Sequence, residues 1–258
     1  MMKQIYPVLL IVLLVLSGCK DKKAPDADFA QRVVDQATNV IGGEQFKHSV
    51  IDFDFRDRHY KATRNGWKFQ YERIWKDSVN AFRDLISNDG YQRFINGSLA
   101  KVQDTMAAKY SRSINAVHYF SVLPYGLNDK AVNKTYLGDV DIKRKPYYKI
   151  EVTFDKEGGG EDYDDVFVYW INKDTHETDY LAYSYNEGPK DIGMRFREAY
   201  NRREVNGLSF TDYNNYKPID TSATVYNLDS LFVADKLQLL SKIELKHITV
   251  NLLPTTRQ

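Results

Sequence analysis

Four times this chain sets Asn-Gly or Asp-Gly between runs of alternating apolar and polar residues: at Asn65-Gly66, Asp89-Gly90, Asn96-Gly97 and Asn206-Gly207. Those dipeptides accept the positive φ that a tight hairpin demands, so each one predicts two neighbouring antiparallel strands. The flanking runs have the right period. Ile51, Phe53 and Phe55 share one face, with Asp52, Asp54 and Arg56 on the other, and Trp67, Phe69, Tyr71 and Trp75 align together with Arg73. Further on, Ile150, Val152 and Phe154 alternate with Lys149, Glu151 and Thr153, and Leu181, Tyr183 and Tyr185 share a face. "DVFVYWI" is apolar on both faces, as expected of a central strand covered on each side. "KIELKHITVNL" reads as the closing strand, with a register shift near His247 of the kind a bulge causes. Strands that follow one another through short turns, without alternating crossover helices, exclude a parallel α/β fold.

Two stretches have helical period instead. Phe29, Val33, Ala37, Val40 and Ile41 mark an N-terminal helix, with Asp26 and Asp28 as caps and Gly42-Gly43 as its stop. Met106, Tyr110, Ile114 and Val117 mark a second helix over 104–122, ended by Pro124 and Gly126. The expected class is α+β: a single curved, mostly antiparallel sheet with both helices packed on its concave face.

The first residues concern address rather than fold. Lys3 precedes nine unbroken apolar residues, Val8 to Leu16, too few to span a bilayer and right for a signal-peptide core. Leu16-Ser17-Gly18-Cys19 follows, with the only cysteine of the 258 residues at the position where a bacterial lipobox is acylated. The organisation read from this is a signal peptide over 1–18, a lipidated tether over 19–27 and one domain over 28–258. The expected location is the cell envelope, with the membrane reached through a lipid on Cys19. A lone cysteine excludes a disulfide framework. The formal net charge of +1 falls to zero once Lys3 is removed, which leaves no electrostatic footprint for nucleic acid.

Chemistry-bearing motifs are few. The five histidines show no paired ligand spacing, and the chain has no nucleophile elbow, CxxC or phosphate loop, so neither a metal nor a cofactor is expected. "EGGGEDYDD" gathers Glu161, Asp162, Asp164 and Asp165 but lacks EF-hand spacing and reads as a hairpin loop. The aromatic content, 19 Tyr, 13 Phe and 3 Trp, is high enough to furnish both a strand core and the lining of a cavity. His118 stands out because it lies on the second helix beside Tyr119 and Phe120. Arg195 and Arg197 share a strand face opposite Met194 and Phe196. If that face is concave, guanidiniums near Trp170 or Tyr183 suit a lipid headgroup or an acidic sugar. The ligand-binding candidates are Trp67, Tyr71, Arg73, His118, Tyr119, Trp170, Tyr183 and Arg195; there is no catalytic candidate set.

The lipobox, "INAVHYFSVLPYGLND", "DVFVYWINKDTHETDYLAYSY" and "GMRFREAYNRREVNGLSFTDY" together resemble an uncharacterised lipoprotein family of the Bacteroidota, over about residues 28–250. The order of helix, antiparallel strands and inserted helix is similar to the half-barrel of the LolA-like periplasmic lipoprotein carriers. That resemblance implies an open half-barrel and a lipid or amphipathic ligand, or an envelope partner, bound without catalysis. The alternatives are a hydrolase of envelope glycan or lipid, with His118 and a carboxylate as acid and base, and a structural or assembly lipoprotein. An aldolase of the deoxyribose-phosphate kind does not fit, because it needs a Schiff-base lysine inside a parallel βα barrel.

Overall fold

The computed structural model describes residues 25–158, 163–188, 191–220 and 222–254. Its turn dipeptides join strands as their chemistry requires. β1 (His48–Phe55), β2 (Arg58–Asn65), β3 (Lys68–Lys76), β4 (Ala81–Ser87), β5 (Gly90–Ile95) and β6 (Ser98–Ala100) form one antiparallel meander. A second meander runs through β7 (Val132–Ile142), β8 (Lys145–Phe154), β9 (Val166–Asn172), β10 (Thr178–Gly188), β11 (Asp191–Val205), β12 (Leu208–Pro218) and β13 (Leu237–Ile243). β14 (Lys246–Leu252) then returns to the first sheet and pairs with β1.

The antiparallel, open α+β architecture therefore stands, but its strand surface is divided into two seven-stranded sheets rather than continuous in one. The division falls at two places. α2 (Asp104–Ser121) separates β6 from β7, and the segment read as one closing strand is two. Leu245 is drawn into the core of the first sheet, so β13 stops at Ile243 and the chain crosses between sheets. The predicted irregularity near His247 is present, because the β1–β14 register slips between Asp52 and Asp54 and His247 has φ 52°.

α1 (Pro25–Val40) packs Ala30, Val33, Val34 and Ala37 against Ile150, Val152, Phe167, Tyr169 and Ile171 on the inner face of the second sheet. Its buried stripe is rotated from the expected one, since Val40 is exposed and Ala30 fully buried. The helix is already present at Pro25, inside the segment assigned to the tether, so Asp26 and Asp28 fall within the helix rather than ahead of it. Residues 1–18 and Cys19 lie outside the described residues. α1 ends against the β11–β12 hairpin, where the Ser209 N–H donates to the Ile41 carbonyl at 2.8 Å. Gly42 sits there with φ 125°, and a Cβ on it would lie 2.5 Å from Leu208 Cδ2 and 2.9 Å from the Gly207 carbonyl oxygen.

The other face of the second sheet is covered by α3 (Leu228–Val233), a helix the sequence pattern did not predict because six residues are too short to show a period. Leu228, Phe232, Val225 and Ala223 cover Val168, Trp170, Tyr180 and Phe196. β9 is thus apolar on both faces for the expected reason. Phe167, Tyr169 and Ile171 meet α1, while Val168 and Trp170 meet α3.

Candidate functional site

α2 lies between the inner faces of the two sheets and does not fill the space. Beside it is a cavity of about 320 Å³, bounded by Val117, Phe120 and Ser121 of the helix, Tyr183 of β10, Arg197 of β11, Tyr213 and Asn215 of β12, and Ser241 and Ile243 of β13. Leu245 of the sheet crossing and Phe55 and Arg56 at the end of β1 close one side. The antiparallel register sorts the floor into rows. Arg197 faces Asn215 and Asn215 faces Ser241, which makes a polar row across three strands. Tyr213 faces Ile243 in the adjacent apolar row. The Asn215 amide donates to Ser241 Oγ at 3.2 Å, while its buried Oδ1 has no partner among the described residues.

Arg197 is the chemically unusual member. It is only 6% exposed and donates from Nη2 to the Tyr183 hydroxyl at 3.1 Å. Its guanidinium lies 4.0 Å over the Phe120 ring and 5.2 Å from that of Tyr183. Its Nε and Nη1 are buried without any acceptor, and among the described residues no carboxylate pairs with it.

A second concavity of about 590 Å³ shares Phe55, Arg56 and Val117 with the first and is basic, lined also by Arg58, Arg73, Arg93 and Lys109 with one acid, Asp57. Its floor is an ionic row set by register, with Arg73 opposite Asp84 and Asp84 opposite Arg93 on β3, β4 and β5. Asp84 is fully buried and accepts from Arg73 at 2.7 Å, Arg93 at 2.6 Å and the Tyr91 hydroxyl at 2.7 Å. Burial alone would raise its carboxyl; the bonds from Arg93, Arg73 and Tyr91 outweigh that and hold it below the ordinary carboxylate range.

The eight residues singled out from the sequence are scattered by this fold. Tyr183 lines the apolar cavity. Trp170 lies on the opposite face of the second sheet, under α3, where its Nε1 donates to buried Asp229 at 3.0 Å. Arg73 belongs to the ionic row, and Trp67 is 76% exposed on the β2–β3 hairpin. Tyr119 points away into a neighbouring pocket with Asp129 and Phe167. Arg195 lies half-buried over the Tyr185 ring at 5.2 Å and donates to the Met194 carbonyl. Tyr71 stacks on His118 with ring centroids 4.7 Å apart. His118 is fully buried, bonded through Nε2 to the Glu72 carbonyl at 3.0 Å and flanked by Phe53 and Tyr60. Because a carbonyl only accepts, Nε2 carries the proton. Burial, with the charge of Arg64 second, pushes its pKa down to about 3, so the ring is neutral. No carboxylate bonds to it among the described residues, so the pair that the alternative hydrolase reading calls for is not formed there.

Sequence reasoning passed over Arg197 although it placed it on the same face as Arg195. The signal was the strand alternation itself, which cannot say how far along β11 the helix covers. Asn215 and Ser241 carried no signal. Glu161 and Asp162 lie outside the described residues, and among those described no group of three His, Cys, Asp or Glu side chains is placed to hold a metal ion.

A family model described as a family of unknown function (DUF6503) matches residues 3–245. No curated protein matches the chain. Among solved structures the chain is similar to a LolA superfamily protein from Nitrosomonas europaea, at 12% identity and TM-score 0.49, covering 88% of this chain and 97% of that one. It is similar also to an outer membrane lipoprotein-sorting protein domain from Vibrio parahaemolyticus, at 11% identity and TM-score 0.43, covering 81% and 99%. A third is the lipoprotein LppX of Mycobacterium tuberculosis, at 12% identity and TM-score 0.29, covering 62% and 89%.

Proposed function

The chain belongs to the family of unknown function DUF6503, and from that premise we propose that it is a non-catalytic binding lipoprotein of the cell envelope, taking a lipid-like amphipathic molecule into the cavity beside α2. The observation that carries this reading is the cavity itself. Its volume of about 320 Å³ lies inside the usual range for small-molecule sites, and its wall is mostly apolar with a few convergent polar groups. Val117, Phe120, Ile243 and Leu245 offer contact to an acyl or similar chain, while the polar row of Arg197, Asn215 and Ser241 offers a place for a head. His118, neutral and bonded to a backbone carbonyl, gives no support to a hydrolase.

The envelope assignment rests on the signal-like run and on Cys19 as the acylated residue. No helix among the described residues is long and apolar enough to cross a membrane. Cys19→Ala is expected to abolish fatty-acid labelling and to release the protein from membranes; labelling that persists in this variant removes the anchor.

The cavity is tested with the neutral fluorophore N-phenylnaphthylamine. Saturable enhancement of its fluorescence by the folded protein is expected. Tyr183→Asp should weaken that binding by roughly tenfold or more, since the wall loses an aromatic ring and gains a hydrated carboxylate beside Arg197. Trp67→Asp, on the exposed hairpin, should leave it unchanged. Absence of saturable uptake, or equal losses in both variants, overturns the proposal.

A further inference from the structure

Resting on that reading, we infer that the ligand of the cavity is anionic, and that Arg197 receives its carboxylate or phosphate group. An arginine side chain stays protonated at any pH a folded protein meets, so burial cannot relieve its charge by titration. A buried charge is normally matched by a counter-charge, and one left without it is strongly destabilising. In the same molecule Arg73 and Arg93 obey this rule by sharing Asp84. Arg197 does not. At 6% exposure it has one hydroxyl acceptor and the face of Phe120, and the N–H groups on Nε and Nη1 have no acceptor among the described residues. The ring contacts offset part of the cost, because cation–π attraction favours a guanidinium over an aromatic face, but they leave its in-plane donors unused. Donors buried in the wall of a cavity without a protein acceptor are satisfied by a ligand that brings one.

The lining fixes the rest of that ligand's chemistry. Strand order places β12 and β13 beyond β11, so a chain extending from Arg197 passes over Tyr213 and Ile243 towards Leu245. A small inorganic anion would leave that apolar stretch unfilled. A single-chain acyl or alkyl anion fills it and also satisfies the guanidinium, whose planar fork matches carboxylate and phosphate oxygens alike. Asn215, opposite Arg197 in the register, gives the head a further polar neighbour.

The test is displacement of N-phenylnaphthylamine from the purified full chain by dodecanoate, dodecyl phosphate and dodecanol at pH 8. One of the two anions is expected to compete roughly tenfold or more better than dodecanol, as hydrogen bonds to a charged group imply. Whichever anion wins identifies the head as carboxylate or phosphate. In Arg197→Met that advantage should vanish while dodecanol competes as before, and Arg197→Lys should restore part of it. Equal competition by all three compounds in the unmodified protein overturns the anionic ligand and leaves the apolar cavity intact as a binding site. Failure of the fluorophore itself to bind removes the cavity reading as well. The comparison within the unmodified protein decides the matter even if the Arg197→Met variant does not fold.

Discussion

At the scale of single residues, the inner faces hold three buried arginines with unused donors, Arg64, Arg73 and Arg197, and one histidine that stays neutral. Arg64, 4% exposed, donates from Nε to the Tyr71 hydroxyl at 3.2 Å, and its charge adds to the burial that depresses His118. The consequence for stability has a definite sign. Below its ordinary pKa of 6.5 the His118 ring of the unfolded chain gains a proton that the folded core refuses until about pH 3. The stability this supplies is complete above pH 6.5 and is lost progressively as pH falls towards 3. His118→Phe should therefore flatten the dependence of unfolding free energy on pH between about pH 4.5 and 6.5, a window above most carboxylate titrations. At neutral pH it should cost about 1–2 kcal/mol for the lost bond to Glu72. Urea denaturation at several pH values measures both; an unchanged slope would mean that the ring titrates in the folded state. The same residue shows how much of the site the sequence could disclose. His118 was conspicuous on an apolar helix, yet helical spacing cannot tell a packed core ring from a cavity ring. Only the positions of Tyr71 and the Glu72 carbonyl settle that. Arg197 had the opposite fate: legible as a strand-face arginine, but indistinguishable from Arg195 until α2 was laid over one of them.

Among elements, those governed by local rules were legible and those governed by distant contacts were not. Asn65-Gly66, Asp89-Gly90, Asn96-Gly97 and Asn206-Gly207 all sit at turns between the predicted strands. Both long helices lie within a few residues of their expected bounds. The two-sided cover of β9 could be read from seven residues. What could not be read was which sheet a strand joins, because β13 and β14 have similar local patterns and differ only in where Ile243 and Leu245 find partners. α3 escaped because its docking depends on Asp229, which accepts from Trp170 Nε1 and from Lys149 at 2.8 Å, a tertiary arrangement with no local signature. One junction between elements makes a sharp prediction. Gly42→Ala combines a left-handed backbone with a Cβ pressed against the Gly207 carbonyl, and should cost more than the roughly 1–3 kcal/mol of backbone strain alone. Gly90→Ala, also at positive φ but with nothing within 4 Å, should cost only the strain. Equal melting temperatures for the two variants would show that the α1–hairpin contact gives way freely.

For the whole molecule, the decisive joint is the crossing from β13 to β14. Asp212, 2% exposed, holds it: Oδ1 accepts from the Leu245 N–H at 3.0 Å and from Arg203 Nη2 at 3.1 Å, and Oδ2 accepts from Asn201 at 2.6 Å. The Arg203 guanidinium donates in turn to the Leu245 carbonyl, and the Asn206 amide donates to the Val250 carbonyl of β14 at 3.1 Å. Asp212→Ala leaves Arg203 and the buried Leu245 N–H without this acceptor, a change worth about 1–3 kcal/mol when a buried donor loses its partner. Hydrogen exchange should accelerate first in β14 and at Leu245, while β2–β5 keep their protection; uniform acceleration would show that the joint is not a separable unit. The pairing of β14 with β1 also bears on how the protein is made. A chain synthesised from its N-terminus completes β1 to β6 by Ala100, but the free edge of β1 has no neighbour until Lys246–Leu252 emerge. Through all the intervening synthesis that edge is a template for the wrong strand, including the β1 of a sister chain. Nascent chains halted before Lys246 would carry that open edge permanently, so the last seven-residue strand guards the solubility of the first.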